Sequence, residues 1–455
     1  MSFHVNDTIC ALATPPGIGG IAVLRLSGPQ AREIVASISS FKSQVSSFDS
    51  NSARFARIEC NGELVDEVVV TFFRAPRSYT GEDVVEISCH GGRYAAARVL
   101  ELLLQNGARM ARPGEFTERA FLNGKLDLAQ AEAVASLIHA RAHRAGRAAA
   151  RQLQGKLSEK VRGMRSRLLD ALALVELELD FSDEDVQFET RAERFTALRD
   201  LQTEMNALAA TFQRGRLVRE GLRVALVGAP NAGKSTLLNA LAGEDRAIVS
   251  PEPGTTRDVV EAHIEVEGIE IILQDTAGAR VAKGLIESEG VARTRRAIER
   301  ADIVLLIVDE SAPHWPEAET LALLSSRRVV LVWNKTDLRS CVGTQPAVSV
   351  PLQFVSVAEV SALTGQGVED LLHLLVSLVL GEESDGDEIV VAEARHHDAL
   401  LRAAESLARA QEQLAQPTLM ASDLRDAVNA LGEITGETVG EEILDRIFSQ
   451  FCIGK

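Results

Sequence analysis

The stretch GAPNAGKST, residues 228–236, stands between an apolar run, VALV at 224–227, and a segment of helical spacing, STLLNALAG at 235–243. Strand, glycine-bearing loop and helix in that order are what a phosphate-binding P-loop requires. Its glycines let backbone N–H groups turn inward and the helix N-terminus adds its positive end, while Lys234 reaches the β- and γ-phosphates and Ser235 ligates Mg²⁺. Asn231, Ala232, Gly233 and Thr236 complete the predicted cradle. Working outward, the runs RVALVG, IEIILQD, DIVLLIVD, RVVLVWN and LQFVSV alternate with helical text between about 222 and 380, which predicts a doubly wound parallel sheet.

A P-loop alone does not choose a base. NKTD at 334–337, directly after VVLVW, does: the Asp337 carboxylate can accept from the N1–H and 2-amino group of guanine, donors that adenine lacks. Asn334 and Lys335 are expected to brace that loop and cover the ring, and SAL (Ser361, Ala362, Leu363) to bring a backbone N–H to guanine O6. DTAG at 275–278 closes another strand. Its Asp275 suits a magnesium-bound water and its Gly278 N–H the γ-phosphate, with Thr276 and Ala277 between them. GTTRD at 254–258 offers Thr256, a hydroxyl for the Mg²⁺ shell only while the γ-phosphate is present. In this order, at strand ends of one sheet, these segments form a guanine-nucleotide switch for GTP and GDP. Ala279 follows DTAG where Ras-like switches carry a water-orienting Gln, and no arginine finger is obvious, although Arg257 and Arg280 lie near.

Around this α/β part the text changes character. Residues 1–118 alternate short β-rich runs with Gly and Pro and contain one amphipathic stretch, YAAARVLELLLQNG, an α+β pattern. Residues 119–220 are helical: Asp127 with Gln130 resembles a capping box, and Leu153, Leu157, Val161, Met164, Leu168, Leu172, Val175 and Leu179 form a stripe expected on one side of one long helix. After the inserted G domain, 221–380, residues 381–455 are helical again to a terminal FCIGK. The expected fold class is therefore multidomain α+β and α/β, with an all-helical domain made discontinuous by a Ras-like P-loop insertion.

With 65 Asp and Glu against 48 Lys and Arg, the formal charge of −17 argues against a protein that coats nucleic acid non-specifically. The nine basic residues of Arg141–Arg167 are the candidate patch for RNA or an acidic partner, beside the plainer reading of a solvated helix face. Five scattered cysteines without a CxxC pair suggest a reducing compartment. No apolar stretch is long enough to span a bilayer, so the expectation is a cytoplasmic protein without a membrane partner. His396 and His397 lack further ligands at metal spacing.

GAPNAGKST, GTTRD, DTAG, NKTD and FCIGK, with TPPGIGGIAVLRLSG at 14–28 and ARPGEFTERAFLNGKLDLAQAEA at 111–133, resemble the tRNA modification GTPases of the MnmE (TrmE) family over essentially the whole chain. The resemblance implies a potassium ion in place of an arginine finger, held at positions matching Asn231, Ser250, Glu252 and Thr255, and a water-orienting carboxylate matching Glu287. Read by itself, Glu287 is a surface residue of a helix. The resemblance further implies that the N-terminal domain binds 5-formyl-tetrahydrofolate or a related tetrahydrofolate through Arg25, Glu86, Lys125 and Lys455. On the residues alone, Arg25 and Glu86 interrupt apolar strands, which suits either a buried ligand pair or solvated edges.

For Cys452 two readings stand, a reactive thiolate beside the folate or a small apolar side chain. The implied reaction adds a carboxymethylaminomethyl or aminomethyl group to carbon 5 of the wobble uridine of certain tRNAs. The implied partner is an FAD-containing protein of the MnmG (GidA) type in a heterotetramer, with a homodimer formed through the N-terminal domain. No G-x-G-x-x-G follows a strand here, so flavin belongs to the partner only. The rivals are an RNA-associated GTPase of ribosome assembly without modifying activity and a stand-alone folate-dependent methyl transferase.

Overall fold

The structure is a computed structural model that describes residues 7–41, 51–180, 191–246, 260–275, 287–339, 352–381 and 389–455. The N-terminal segment builds one six-stranded sheet from β1 (Ile9–Leu12), β2 (Ile21–Ser27), β3 (Ser52–Cys60), β4 (Glu63–Phe73), β5 (Val84–His90) and β6 (Arg109–Met110) in the order β3-β4-β5-β2-β1-β6. Alternation along β2 and β5 buries Leu24, Leu26, Ile87 and Cys89 beneath α1 (Ala31–Ile38) and α2 (Arg93–Gln105). The opposite face carries Val23, Arg25, Glu86 and Ser88, all partly exposed.

α3 (Glu115–Leu122), α4 (Leu128–His139), α5 (His143–Leu153), α6 (Lys156–Asp180), α7 (Arg191–Ala210) and α8 (Phe212–Glu220) follow. The capping box at the start of α4 is formed reciprocally: Gln130 N–H donates to Asp127 Oδ1 at 2.9 Å, and Asp127 N–H to Gln130 Oε1 at 3.0 Å. The expected single leucine stripe is broken. Gly155, at φ +84°, ends the α5 segment, so Leu153 lies on α5 while Leu157, Val161, Met164, Leu168, Leu172 and Val175 are the buried face of α6.

The second sheet, β7 (Leu222–Gly228), β8 (Val260–Val266), β9 (Ile269–Asp275), β10 (Ile303–Asp309), β11 (Val329–Asn334) and β12 (Phe354–Glu359), has the order β12-β11-β10-β7-β9-β8. It is parallel except at its edge, where β8 runs antiparallel to β9; this hairpin is a departure from the all-parallel expectation. Helices α9 (Lys234–Arg246), α10 (Glu287–Arg300), α11 (Ala318–Leu324) and α12 (Val368–Leu380) belong to the same segment. The chain closes with α13 (Ala394–Glu412), α14 (Pro417–Thr435) and α15 (Glu441–Phe448). α14 packs on α6, so chain on either side of the P-loop segment shares one core.

The chain divides into two compact units, one of residues 1–135, 152–198 and 405–455, the other of 136–151 and 199–404. The basic run therefore belongs to both units. Several of its members already have partners: Arg141 pairs with Glu270 at 3.7 Å, Arg162 with Asp127 at 2.7 Å, and Arg144 Nε donates to Glu267 O at 2.9 Å.

Candidate functional site

In the α/β unit the predicted loops converge at the ends of β7, β9, β10 and β11. Gly228 lies so close to β10 that a Cβ there would be 2.3 Å from Ile307 O, which is why the turn needs glycine. Asn231 takes a left-handed backbone, φ +67°, at the exposed tip of the loop. Lys234, buried at the start of α9, donates from Nζ to Gly228 O and Ala229 O, each at 2.9 Å. Burial pushes its ammonium pKa down, with Asp275 opposing. Ser235 Oγ donates to Asp275 Oδ2 at 2.7 Å, so a hydroxyl from the first turn of α9 and a carboxylate from the end of β9 meet where hard oxygen ligands suit Mg²⁺. Thr236 is exposed on the first turn of α9.

Asn334 ties this loop to the base-reading segments. Its Nδ2 donates to Ala232 O at 2.9 Å and its Oδ1 accepts from Ala362 N–H at 3.1 Å, both buried. Gly233, at φ +95°, leaves room for it, since a Cβ would lie 2.3 Å from Asn334 Nδ2. The Ala362 N–H, one of the donors expected for guanine O6, is thus held by Asn334. Lys335, left-handed at φ +66°, spans from Asn231 O at 2.9 Å to Asp309 Oδ2 at 2.5 Å. Burial works to raise the Asp309 carboxyl, but Lys335 and Ser311 outweigh it and hold it below the usual range. Asp337 is exposed and aimed by Ser361, whose Oγ donates to Oδ1 at 2.6 Å; Leu363 is 79% exposed beside it.

Ser250, Glu252, Thr255, Thr256, Thr276, Ala277 and Gly278 lie outside the described residues. Glu287 opens α10, and its side chain likewise lies outside what is described.

The second cluster lies in the other unit. Arg25 on β2 faces Glu86 on β5 across the ladder, with Nε and Nη2 both donating to Oε1 at 2.9 and 2.8 Å. The guanidinium carbon lies 5.2 Å from the Tyr79 ring centre and 5.8 Å from that of Phe116. Nη1 of Arg25 is buried without a hydrogen-bond partner among the described residues, a donor left for a ligand. Lys455 is half-buried and close enough for Arg25 and Glu86 to act on its charge. Burial first, and Arg25 second, push its pKa down, while Glu86 opposes. Lys125 is exposed and donates to Pro76 O at 3.1 Å, and Cys452 is an exposed free thiol.

Behind the pocket α3 is fixed by buried charge: Arg119 reaches Asp7 at 2.6 Å, Glu82 at 3.2 Å and Glu115 at 3.1 Å. Burial works to raise the Glu115 carboxyl, but Arg109 and the Arg112 N–H outweigh it and keep it ionised.

The sequence from 8 to 125 matches the family description GTP-binding protein TrmE N-terminus, and 128–452 matches that of the MnmE helical domain. The tRNA modification GTPase MnmE of Moorella thermoacetica is 45% identical over 475 residues, covering 99% of this chain and 100% of that protein. The protein of the same name from Roseiflexus sp. is 44% identical over 99% of both chains. That from Protochlamydia amoebophila is 41% identical over 100% of this chain and 98% of its own. The chain belongs to the MnmE family. A solved G domain, that of the T. maritima FeoB iron transporter, is 28% identical over 34% of this chain and 97% of its own; the TM-score is 0.25, too low to compare folds.

Three residues of these MnmE-family pockets escaped the sequence reading. Asp309 had a legible signal, an acid closing an apolar strand in register with Asn334. Tyr79 and Phe116 had none, because an aromatic in a loop and another on a short helix meet Arg25 only in three dimensions. Among the described residues, no helix is long and apolar enough to cross a membrane.

Proposed function

We propose that this chain, a GTPase of tRNA modification, is potassium-dependent and cytoplasmic. On this reading it works with an FAD-containing MnmG-type partner to add a carboxymethylaminomethyl or aminomethyl group to carbon 5 of the wobble uridine, drawing the one-carbon unit from a tetrahydrofolate. The observation that carries the nucleotide part is Asn334, one amide that holds a P-loop carbonyl and the Ala362 N–H together. Phosphate cradle and base reader are thereby one rigid object, which suits a nucleotide bound at both ends.

Among the described residues Lys234 has two backbone carbonyls to leave when phosphate oxygens arrive, and Asp337, exposed and held at Oδ1 by Ser361, is the proposed acceptor for the two N–H groups of the guanine edge. Magnesium at Ser235 and Thr256, and potassium at Asn231, Ser250, Glu252 and Thr255, supply positive charge against phosphate oxygens. Asn231 fits such a role in part, because its left-handed backbone sets the residue at the open tip of the loop. Glu287 is the proposed water-orienting group. Arg25, with its buried free N–H, supports the folate reading together with Glu86, Lys125 and Lys455, and Cys452 is proposed to act at that pocket. The functional division is taken as 1–118, 119–220, 221–380 and 381–455, with dimer formation through the first.

Two measurements test the proposal. Hydrolysis in potassium should exceed that in sodium by about tenfold or more, a difference of roughly 1.4 kcal/mol in barrier; equal rates remove Asn231 from its role. Mass spectrometry of tRNA nucleosides from a strain lacking the gene should show unmodified wobble uridine, and intact modification rejects the assignment.

A further inference from the structure

α15 ends at Phe448, and the FCIGK text beyond it folds as a turn in which Lys455 N–H donates to Cys452 O at 3.3 Å. Gly454 is the third residue of that turn, at φ +100°, where a side chain is strained. A Cβ on it would lie 2.6 Å from Leu12 O and 3.0 Å from the Ala13 Cα, so the turn rests on bare backbone at the end of β1. Gly114 makes a second close approach, just before α3. It stands at φ +70°, a Cβ there would lie 2.4 Å from Phe448 O, and its N–H donates to Cys452 O at 3.5 Å. Phe448 and Phe451 are buried against Leu128, Ala131 and Val134, which anchors the turn from a third direction.

The tail therefore reaches the pocket by backbone contact at two glycines, and no side chain at either position could keep it there. What it delivers is Lys455. Gly454 rests on Leu12 and Ala13, next to Ala11, which pairs with Arg25 across the ladder, so the turn brings Lys455 to the neighbourhood of the Arg25–Glu86 pair, where Arg25 Nη1 is buried with no hydrogen-bond partner among the described residues. A free guanidinium N–H beside an ammonium suits a ligand that carries a carboxylate.

We propose that Gly454 and Gly114 are positioning residues of this pocket: their close approaches to Leu12 and Phe448 set Lys455 as the second cation for a carboxylate-bearing ligand. The proposal rests on the folate reading given above. The test is binding of 5-formyl-tetrahydrofolate to the full chain, wild type, Gly454→Ala, Lys455→Ala and the double variant, with thermal midpoints measured alongside. Gly454→Ala should weaken binding about tenfold, and the double variant should be no weaker than Lys455→Ala, because both changes remove the same contact. The melting midpoint of Gly454→Ala should stay within about 2 °C of wild type, since Cys452 and Ile453 of the turn are exposed and it can lift off while Phe448 and Phe451 stay buried.

Unchanged binding by Gly454→Ala, or losses that add in the double variant, overturn the positioning role alone. A wild-type chain that does not bind the folate overturns the pocket's reading and this role with it. Gly114→Ala should reproduce the Gly454→Ala loss; if it unfolds its unit, the Gly454 cycle decides.

Discussion

The two pockets are assembled in opposite ways. The nucleotide pocket takes its parts from short segments at consecutive strand ends, and one residue, Asn334, ties two of them together. The arginine pocket takes one side chain each from β2, the loop before β5, β5, α3 and the final turn, at positions 25, 79, 86, 116 and 455. The first is an arrangement of loops on a sheet, where each loop is a readable word. The second is a convergence of single letters, and it depends on α3 and α15 being packed in place. Damage to the first should abolish a chemical step, whereas damage to the second should grade an affinity.

The largest expected effect is on Lys234→Ala, which removes the buried cation aimed at the phosphates. GTP turnover should fall by about a hundredfold or more, and a smaller loss would show that the loop's N–H groups suffice without it. Next is Asp337→Asn. Guanine should lose one of its two acceptors to an amide N–H, which suits the C2 carbonyl of xanthine, so xanthine nucleotides should gain relative to GTP by about a hundredfold, read by competition binding; unchanged selectivity refutes the base assignment. In the other pocket Arg25→Ala should weaken folate binding by about ten- to a hundredfold, with Arg25→Lys restoring only part, because one ammonium cannot face Glu86 and a ligand as the fork does.

The smallest effect is on pH. Lys455 has a pKa below the ordinary lysine value of 10.5, so in solution it loses its proton earlier than a free lysine does. An anionic ligand favours the charged form, so affinity should decline as pH rises through that lowered pKa, while Lys455→Arg should flatten the profile. A profile flat in the wild type as well would remove Lys455 from the ligand's surroundings.

The nucleotide pocket was legible because each of its functions needs adjacent residues of fixed type in a fixed local context, strand then loop then helix. Asp275 and Asn334 end β9 and β11, Lys234 and Ser235 open the helix α9 that follows the loop after β7, and Asp337 lies in the turn just after β11, as that context requires. The leucine stripe was legible in period but not in extent, since periodicity cannot see a backbone break such as Gly155. Nor could a run of charges reveal that Arg141 and Arg162 pair with carboxylates 129 residues downstream and 35 upstream respectively, at Glu270 and Asp127. The antiparallel β8 escaped because its text, VEAHIEV, alternates polar and apolar residues and carries no continuous apolar run.

The amino-acid order by itself determined the P-loop, the guanine-reading tetrapeptide and the interruption of a helical region by an α/β segment, because these rest on local periodicity and on backbone needs of neighbouring residues. Only the tertiary structure decided that Arg25 lies between Tyr79 and Phe116, that its Nη1 is left free, and that a turn at the far end of the chain brings Lys455 beside it. Contacts between residues hundreds of positions apart follow from packing and charge burial across whole elements, which no local spacing encodes.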